Sequence, residues 1–223
     1  CADGPVTSLV ELTLLAEHRR GHGAMYDALN AGRVEPQRLR RTVASLPLPT
    51  VGGRIVLAVD VSPWLRPDAP TSPDRLFCHV YGRGKGQAQM IPGWPYSVIA
   101  ALESGRTSWT AVLDAVRLGP DDDETAVTAA QVRDVVTRLI AAGHWREGDL
   151  GILVVFDAGY DVIRLAWLLA GLPLVLCARV RSNRVFYRVP APKPPHMPGH
   201  PREHGTPLRC ADDEWVEIVG NRG

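Results

Sequence analysis

Short apolar runs alternate along the chain with segments of helical periodicity. Runs rich in β-branched residues predict five strands, most of them buried. The predicted strands cover residues 54–60, 76–81, part of 88–102, 151–156 and 174–180. Pro92 and Pro95 are expected to break the third strand, because proline cannot donate to a β-ladder.

Helical periodicity appears between the later strands. Residues 127–142 carry apolar side chains at the spacing of one helix face. An acidic run before this helix favours its N-terminus, and Thr128 with Gln131 predicts a capping box. A second helix is expected at 161–170, capped by Asp161. The order β-β-β-α-β-α-β predicts the α/β class, with a mixed sheet flanked by helices.

The two ends of the chain differ from this core. Residues 1–50 are expected to form a small, locally basic helical region, in which Pro36 opens one helix. Residues 190–207 contain seven prolines and cannot form a regular element. A strand-like segment follows at 215–219. We therefore expect three parts, which cover residues 1–50, 51–189 and 190–223.

Composition bears on the compartment and the binding partners of the protein and says little about its chemistry. The net charge is +1, so attraction to nucleic acid must come from local patches. The four cysteines show no CxxC spacing, and Cys78 and Cys177 are expected to be buried thiols. No apolar run approaches about 18 residues. A soluble, cytoplasmic protein is expected.

Two aspartates carry the main chemical signal. Asp60 and Asp157 each end an apolar, strand-like run. In open α/β sheets, ligands bind in the crevice outside the carboxyl ends of strands. Two carboxylates brought together there stay ionised only when a cation lies between them. Either aspartate alone is more often a turn residue, but the pair predicts a metal site.

Basic and aromatic residues are weaker candidates for DNA contacts. Arg forks fit phosphate oxygens, although a solvated strand edge explains the same residues equally well. The candidate DNA-binding residues are Arg83, Lys85, Arg179, Arg181, Arg184 and Arg188. Arg38, Arg40 and Arg41 are similarly ambiguous. Trp64, Trp94 and Tyr96 could stack on unpaired bases, but packing is the commoner role for such rings.

Long stretches of the chain resemble insertion-sequence transposases of the DDE endonuclease superfamily. The resemblance begins at AEHRRGHGAMYDALN and includes IVLAVDVSPWLRPDAPTSPDRLFCHVYGRGKGQAQMIPGWPYS, GRTSWTAVLDAVRLG and GILVVFDAGYDVIRLAWLLAGLP. It implies a ribonuclease-H-like core, in which two aspartates and a downstream glutamate hold two Mg²⁺ or Mn²⁺ ions. Asp60 and Asp157 match the two aspartates and are the implied catalytic and metal-binding residues.

The third carboxylate of the family does not carry over to this sequence. Glu203, Glu214 and Glu217 follow the fifth strand, but none lies in an amphipathic helical pattern. The Pro-rich segment resembles the start of a β-rich insertion that precedes the family's glutamate. The chain thus resembles an N-terminal portion of a transposase with an incomplete core. We expect the isolated chain to be inactive and a longer version that supplies the glutamate to cleave DNA.

The resemblance also implies partners and leaves alternatives open. The implied partners are DNA, as transposon ends and target, and a second copy in a homodimer of the full-length protein; no membrane is implied. A catalytically inactive DNA-binding remnant of a transposase is one alternative. A different metal-dependent phosphohydrolase is another, although the sequence from Asp60 to Ser62 lacks the second aspartate of a DxD pair.

Overall fold

The structure is a computed structural model that describes residues 9–14, 23–81, 88–103, 105, 110–181, 184–194, 196, 198–200 and 202–209. The chain divides into two compact units, residues 1–43 and 44–223. The expected three-part division stays a prediction.

The first unit is helical where it is described. Its helices are α1 (Leu9–Thr13), α2 (Gly23–Ala31) and α3 (Pro36–Ala44), whose last residue belongs to the second unit. Proline is the first helical residue of α3, where its missing N–H leaves no helical hydrogen bond unmade. The exposed side chain of Arg41 lies 3.8 Å from that of Glu35, the residue directly before this helix.

The second unit contains a six-stranded mixed sheet. Its strands are β1 (Val56–Leu65), β2 (Leu76–Tyr81), β3 (Ala88–Leu102), β4 (Thr110–Arg117), β5 (Ile152–Phe156) and β6 (Leu174–Ala178). The order is β2-β3-β1-β5-β6, and β4 also pairs with β3. The pairs β1/β5 and β5/β6 are parallel, and the others are antiparallel. Helices α4 (Glu124–Ala141) and α5 (Val162–Leu168) flank it, which confirms the predicted fold class.

Two features of the sheet differ from the predictions. Strand β3 runs unbroken through both prolines, and β4 was not predicted. Pro95 lies where β3 exchanges one neighbour for another, because pairing with β2 ends at Gly93 and pairing with β4 begins at Tyr96. A proline at such a junction removes little from either ladder.

The capping box predicted for α4 is also wrong. The helix begins earlier, with Asp123 as the N-cap, and the Asp123 side chain accepts from the N–H of Ala126 at 3.1 Å. Thr128 and Gln131 therefore lie within the helix and not at its start, and both are buried. At the other end Gly143 has φ 83°, which closes the helix as expected.

Helix α4 covers one face of the sheet, which we call the closed face. Leu57, Val59, Ile99 and Phe156 point to this face and are at most 2% exposed. The Ser97 hydroxyl donates to the Gln131 side-chain oxygen at 2.7 Å, and the Gln131 amide donates back to the Ser97 carbonyl at 3.0 Å.

The opposite face, which we call the open face, is less covered by the described residues. Leu153 and Val155 on β5 are half-buried, and their neighbours Val175 and Cys177 on β6 are exposed. Strand β5 therefore alternates between buried and half-buried residues. The expectation of a buried Cys177 is wrong, because its position in the strand turns it to the open face.

The Pro-rich segment follows the sheet. A separate two-stranded sheet pairs β7 (Val185–Tyr187) with β8 (Pro207–Arg209), so the proline-containing excursion lies between its strands. The strand-like segment at 215–219 lies outside the described residues. No helix in the described part of the chain is both long and apolar enough to span a bilayer.

Candidate active site

The sequence predicts Asp60 at the end of a strand, but in the structure it lies within β1. The strand continues to Leu65 because residues 57–65 pair with β3 as a long antiparallel ribbon. Only the parallel pairing with β5 stops at Val59, directly before Asp60. The carboxylate is exposed, and one of its oxygens accepts from the N–H of Val61 at 2.9 Å.

Asp157 follows β5 at the matching level of the neighbouring strand. Val59 and Phe156 are partners in the parallel register, so Asp60 and Asp157 are the next residue on each chain. Neighbouring strands lie about 4.8 Å apart. The fold thus brings together the two aspartates selected from sequence. Both are exposed to solvent, at the edge where the pairing of β1 with β5 ends.

Tyr160, which was not singled out from sequence, lies in the turn that follows Asp157. Tyr160 ends the turn that begins at Asp157, and its ring lies 5.2 Å from that of Phe156, centroid to centroid. Its hydroxyl is buried without a hydrogen-bond partner among the described residues. The hydroxyl is therefore a buried donor that no group in the described part of the chain satisfies.

The charges around Tyr160 show which carboxylates share this environment. Burial raises the pKa of the phenol, and the negative charges of Asp60, Glu124 and Asp157 raise it further. The hydroxyl therefore remains protonated at neutral pH, and toward an anion it acts as a hydrogen-bond donor. From sequence, Glu124 was interpreted only as a charge at a helix terminus. The signal that could have identified Tyr160 is its position three residues after Asp157.

Helix α5 is fixed to α4 beside this edge. Asp161 caps α5 by accepting from the N–H of Arg164 at 3.1 Å, as predicted. Arg164 also binds both carboxylate oxygens of Asp123, at 2.9 and 2.5 Å. This bidentate contact lowers the pKa of Asp123 and raises that of Arg164. Asp161 and Asp123 thus have structural partners.

Three of the predicted DNA-binding arginines line one concavity, and one of them, Arg179, lies next to Asp157. Arg179, Arg181 and Arg184 line one concavity together with Tyr160 and Phe186. The Arg179 guanidinium also lies 3.9 Å from the Asp157 carboxylate, and both side chains are mostly exposed. The concavity therefore offers several guanidinium groups beside the candidate metal ligands.

The remaining basic candidates lie elsewhere. Arg188 lines a different concavity, formed by the Pro-rich segment, and its N–H donates to Thr206. Arg83 and Lys85 lie outside the described residues. Arg38, Arg40 and Arg41 belong to α3 in the first unit.

The donor set fits a hard divalent cation in part. Asp60 and Asp157 supply carboxylate oxygens, and Mg²⁺ takes one or two carboxylates while it keeps water and phosphate oxygens in its shell. Within the described ranges, no cluster of three or more His, Cys, Asp or Glu residues is arranged to hold a metal. Glu203 is described and exposed, and Glu214 and Glu217 lie outside the described residues.

Comparison with protein families assigns the chain to one family. A family model described as DDE superfamily endonuclease matches residues 1–220. The chain belongs to the DDE superfamily endonucleases, a family of transposase-type nucleases that generally use divalent metal ions. Neither curated proteins nor solved structures gave a match.

Proposed function

We propose that this chain carries two of the metal-binding carboxylates of a DDE-type transposase, the class of enzyme that cleaves and transfers DNA strands at insertion-sequence ends. The observation that supports this most is the register that continues from Val59 and Phe156 into Asp60 and Asp157. It sets two exposed carboxylates on adjacent parallel strands in a chain of the DDE family. A homodimer of the full-length protein remains a prediction.

Each candidate residue of the site would have a distinct role. Asp60 and Asp157 would hold Mg²⁺ or Mn²⁺, and two such ions supply an activated water and a stabilised leaving oxygen for in-line displacement. Asp60 lies inside a strand and pairs there with Val98 of β3, whereas Asp157 follows the end of its strand. Tyr160 would donate a hydrogen bond to a phosphate oxygen or to a ligated carboxylate.

DNA binding would come from local basic groups, because the chain has almost no net charge. Arg179, Arg181 and Arg184 would contact the phosphates that flank the scissile bond. Each phosphate neutralised steepens the log–log salt dependence of affinity by about 0.9. Replacing Arg181 and Arg184 with alanine should therefore reduce both the affinity and the salt dependence of DNA binding.

The cleavage step is tested by a nicking assay with Mg²⁺ or Mn²⁺ on insertion-sequence-end DNA. The assay compares this chain with a version lengthened by a segment that supplies a third carboxylate. We expect the longer version to nick and the chain alone not to, because misplacement of about 1 Å reduces a rate on the order of a hundredfold. Asp157→Ala in the longer version should abolish nicking.

The outcomes separate the proposals. Nicking that survives Asp60→Ala and Asp157→Ala in the longer version would overturn the assignment of the two aspartates. DNA binding without nicking by either version would support the inactive remnant. Robust nicking by the chain alone, lost in Asp60→Ala, would show that it contains a third carboxylate, and Glu124 and Glu203 would be tested first.

A further inference from the structure

An aromatic cluster extends the open face beyond Asp60. Alternation along β1 puts Asp60, Ser62 and Trp64 on one face, and the register sets Tyr96 opposite Ser62 and Trp94 opposite Trp64. The ring centroid of Trp64 lies 5.7 Å from that of Trp94 and 6.3 Å from that of Tyr96. We call Trp64, Trp94 and Tyr96 the aromatic platform.

The platform is held by contacts with the backbone, and one of its rings is exposed to solvent. The indole N–H of Trp94 donates to the carbonyl of Pro73 at 3.1 Å, which fixes that ring. At Gly93 a Cβ atom would lie 2.4 Å from the Trp64 carbonyl oxygen, so glycine permits the close approach of β3 to β1. Trp64 nevertheless remains 54% exposed. A large aromatic surface is therefore held in place but left uncovered by the described residues.

The position of the platform relative to Asp60 suggests its ligand. A strand rises about 3.3 Å per residue, so Trp64 lies about 13 Å along β1 from Asp60. One DNA strand with stacked bases covers that length with about four nucleotides, and fewer when it is unstacked. Arg117 is the register partner of Tyr96, and its side chain is 45% exposed although the guanidinium also lies 3.4 Å from the Asp74 carboxylate. The platform thus combines rings with a nearby cation, as single-strand sites do.

We propose that the aromatic platform binds an unpaired base of the DNA strand being cleaved, with Trp64 as the stacking residue. This inference rests on the proposed function, because Asp60 fixes where the scissile phosphate lies. Stacking of this kind tolerates any base, since every base has an aromatic face. A purely structural cross-strand pair would stabilise the ribbon but would not distinguish bases from bare backbone.

A second copy of the chain is the competing occupant. Phe77 and Met90, on the neighbouring strands β2 and β3, are 69% and 56% exposed and enlarge the apolar surface. We favour the DNA strand because the platform lies on the same face as Asp60 and beside Arg117. The experiment therefore measures both base discrimination and oligomeric state.

The test compares two metal-free probes of equal charge. These are a fluorescent oligothymidylate and an abasic deoxyribose-phosphate oligomer of the same length. We expect the wild-type chain to bind the thymidylate about five- to a hundredfold more tightly, as expected for one stacked base. Trp64→Ala should lose this ratio and leave abasic binding unchanged, whereas Trp64→Phe should keep most of it. Trp167→Ala is the matched control, since Trp167 is 75% exposed on α5.

Three outcomes would overturn the inference. The first is an unchanged ratio in Trp64→Ala, with Trp64→Phe and thermal unfolding confirming that the variants are folded. The second is a Trp64→Ala variant that changes the oligomeric state in light scattering but not the ratio, which would assign the surface to a second copy. The third is no binding of either probe. A failed nicking assay would not affect this metal-free measurement, so the two proposals fail separately.

Discussion

The two faces of one sheet contrast throughout this molecule. On the closed face, Leu57, Val59 and Phe156 are buried, and Ser97 satisfies Gln131 with two hydrogen bonds. On the open face, the alternate residues of the same strand β1 are Asp60, Ser62 and Trp64, all exposed. A single strand thus supplies packing with one set of residues and candidate chemistry with the other. Stability and function should therefore respond to different substitutions only one residue apart.

The largest effect should come from the buried ion pair on the closed side. Arg138 on α4 binds Asp114 on β4 at 3.0 Å, and their side chains are 10% and 3% exposed. Arg138→Ala would leave the Asp114 charge buried without this partner, so we expect a loss of about 3–5 kcal/mol in the free energy of unfolding. Urea denaturation measures this loss.

An exposed pair provides the control for that measurement. Arg66 and Asp68 lie 3.3 Å apart with side chains 39% and 73% exposed. Arg66→Ala should change the free energy of unfolding by less than about 1 kcal/mol. Equal losses in Arg138→Ala and Arg66→Ala would contradict the view that α4 closes this side of the sheet.

The next effect concerns the buried hydrogen bonds between β3 and α4. Gln131→Ala should cost about 1–3 kcal/mol, because it leaves the buried Ser97 hydroxyl unpaired. The double variant Ser97→Ala with Gln131→Leu should recover part of this loss, since neither polar partner then remains. Chemical denaturation of the three variants gives the comparison; a double variant less stable than Gln131→Ala would argue against the pair.

A smaller effect is expected at Tyr160, whose phenol feels the charges of Asp60 and Asp157. Because its hydroxyl is buried without a partner among the described residues, Tyr160→Phe should leave stability unchanged or raise it by up to about 1 kcal/mol. Affinity for Mn²⁺ should fall severalfold, because the donor beside the carboxylates is lost. Denaturation and Mn²⁺ titration of the same sample test both parts. A destabilised variant with unchanged Mn²⁺ affinity would refute this assignment.

The smallest effect should be the pH dependence of the Asp123–Arg164 contact. The hydrogen bond from Arg164 lowers the pKa of Asp123 in the folded protein. The resulting stability is present above the ordinary carboxyl pKa, near pH 4, and is lost as pH falls through the lowered value. Asp123→Asn keeps a good N-cap but removes the charge. Its difference from wild type, measured by thermal unfolding, should disappear in acid.

A double variant checks this interpretation. Arg164→Gln should reproduce the pH dependence of Asp123→Asn, and combining the two should add little, because both remove one interaction. Additive losses would mean that the two residues act through other contacts.

Local pattern predicted most of the sheet and selected the two aspartates as candidates. Apolar runs marked β1, β2, β5 and β6, and the apolar stripe of α4 was clear. Asp60 and Asp157 could be selected because each follows such a run. The capping box failed because Thr128 and Gln131 match the local motif, while the burial that decides their role comes from β3.

The features that were missed depend on distant contacts. Strand β4 contains the polar Asp114, whose buried charge is paired by Arg138 on α4, 24 residues along the chain. Pro95 is tolerated because β3 changes partners there. The effect of Glu124 on Tyr160 requires the turn after β5 to lie near the start of α4, and no local spacing encodes that.

Mn²⁺ binding by the wild-type chain and three aspartate variants tests the central claim most directly. Electron paramagnetic resonance counts bound Mn²⁺ without requiring catalysis. We predict that Asp60→Asn and Asp157→Asn each lose most of the binding, whereas Asp161→Asn, which alters a nearby helix cap, retains it. Mn²⁺ binding that is equal in all four proteins would contradict the assignment of Asp60 and Asp157 as metal ligands.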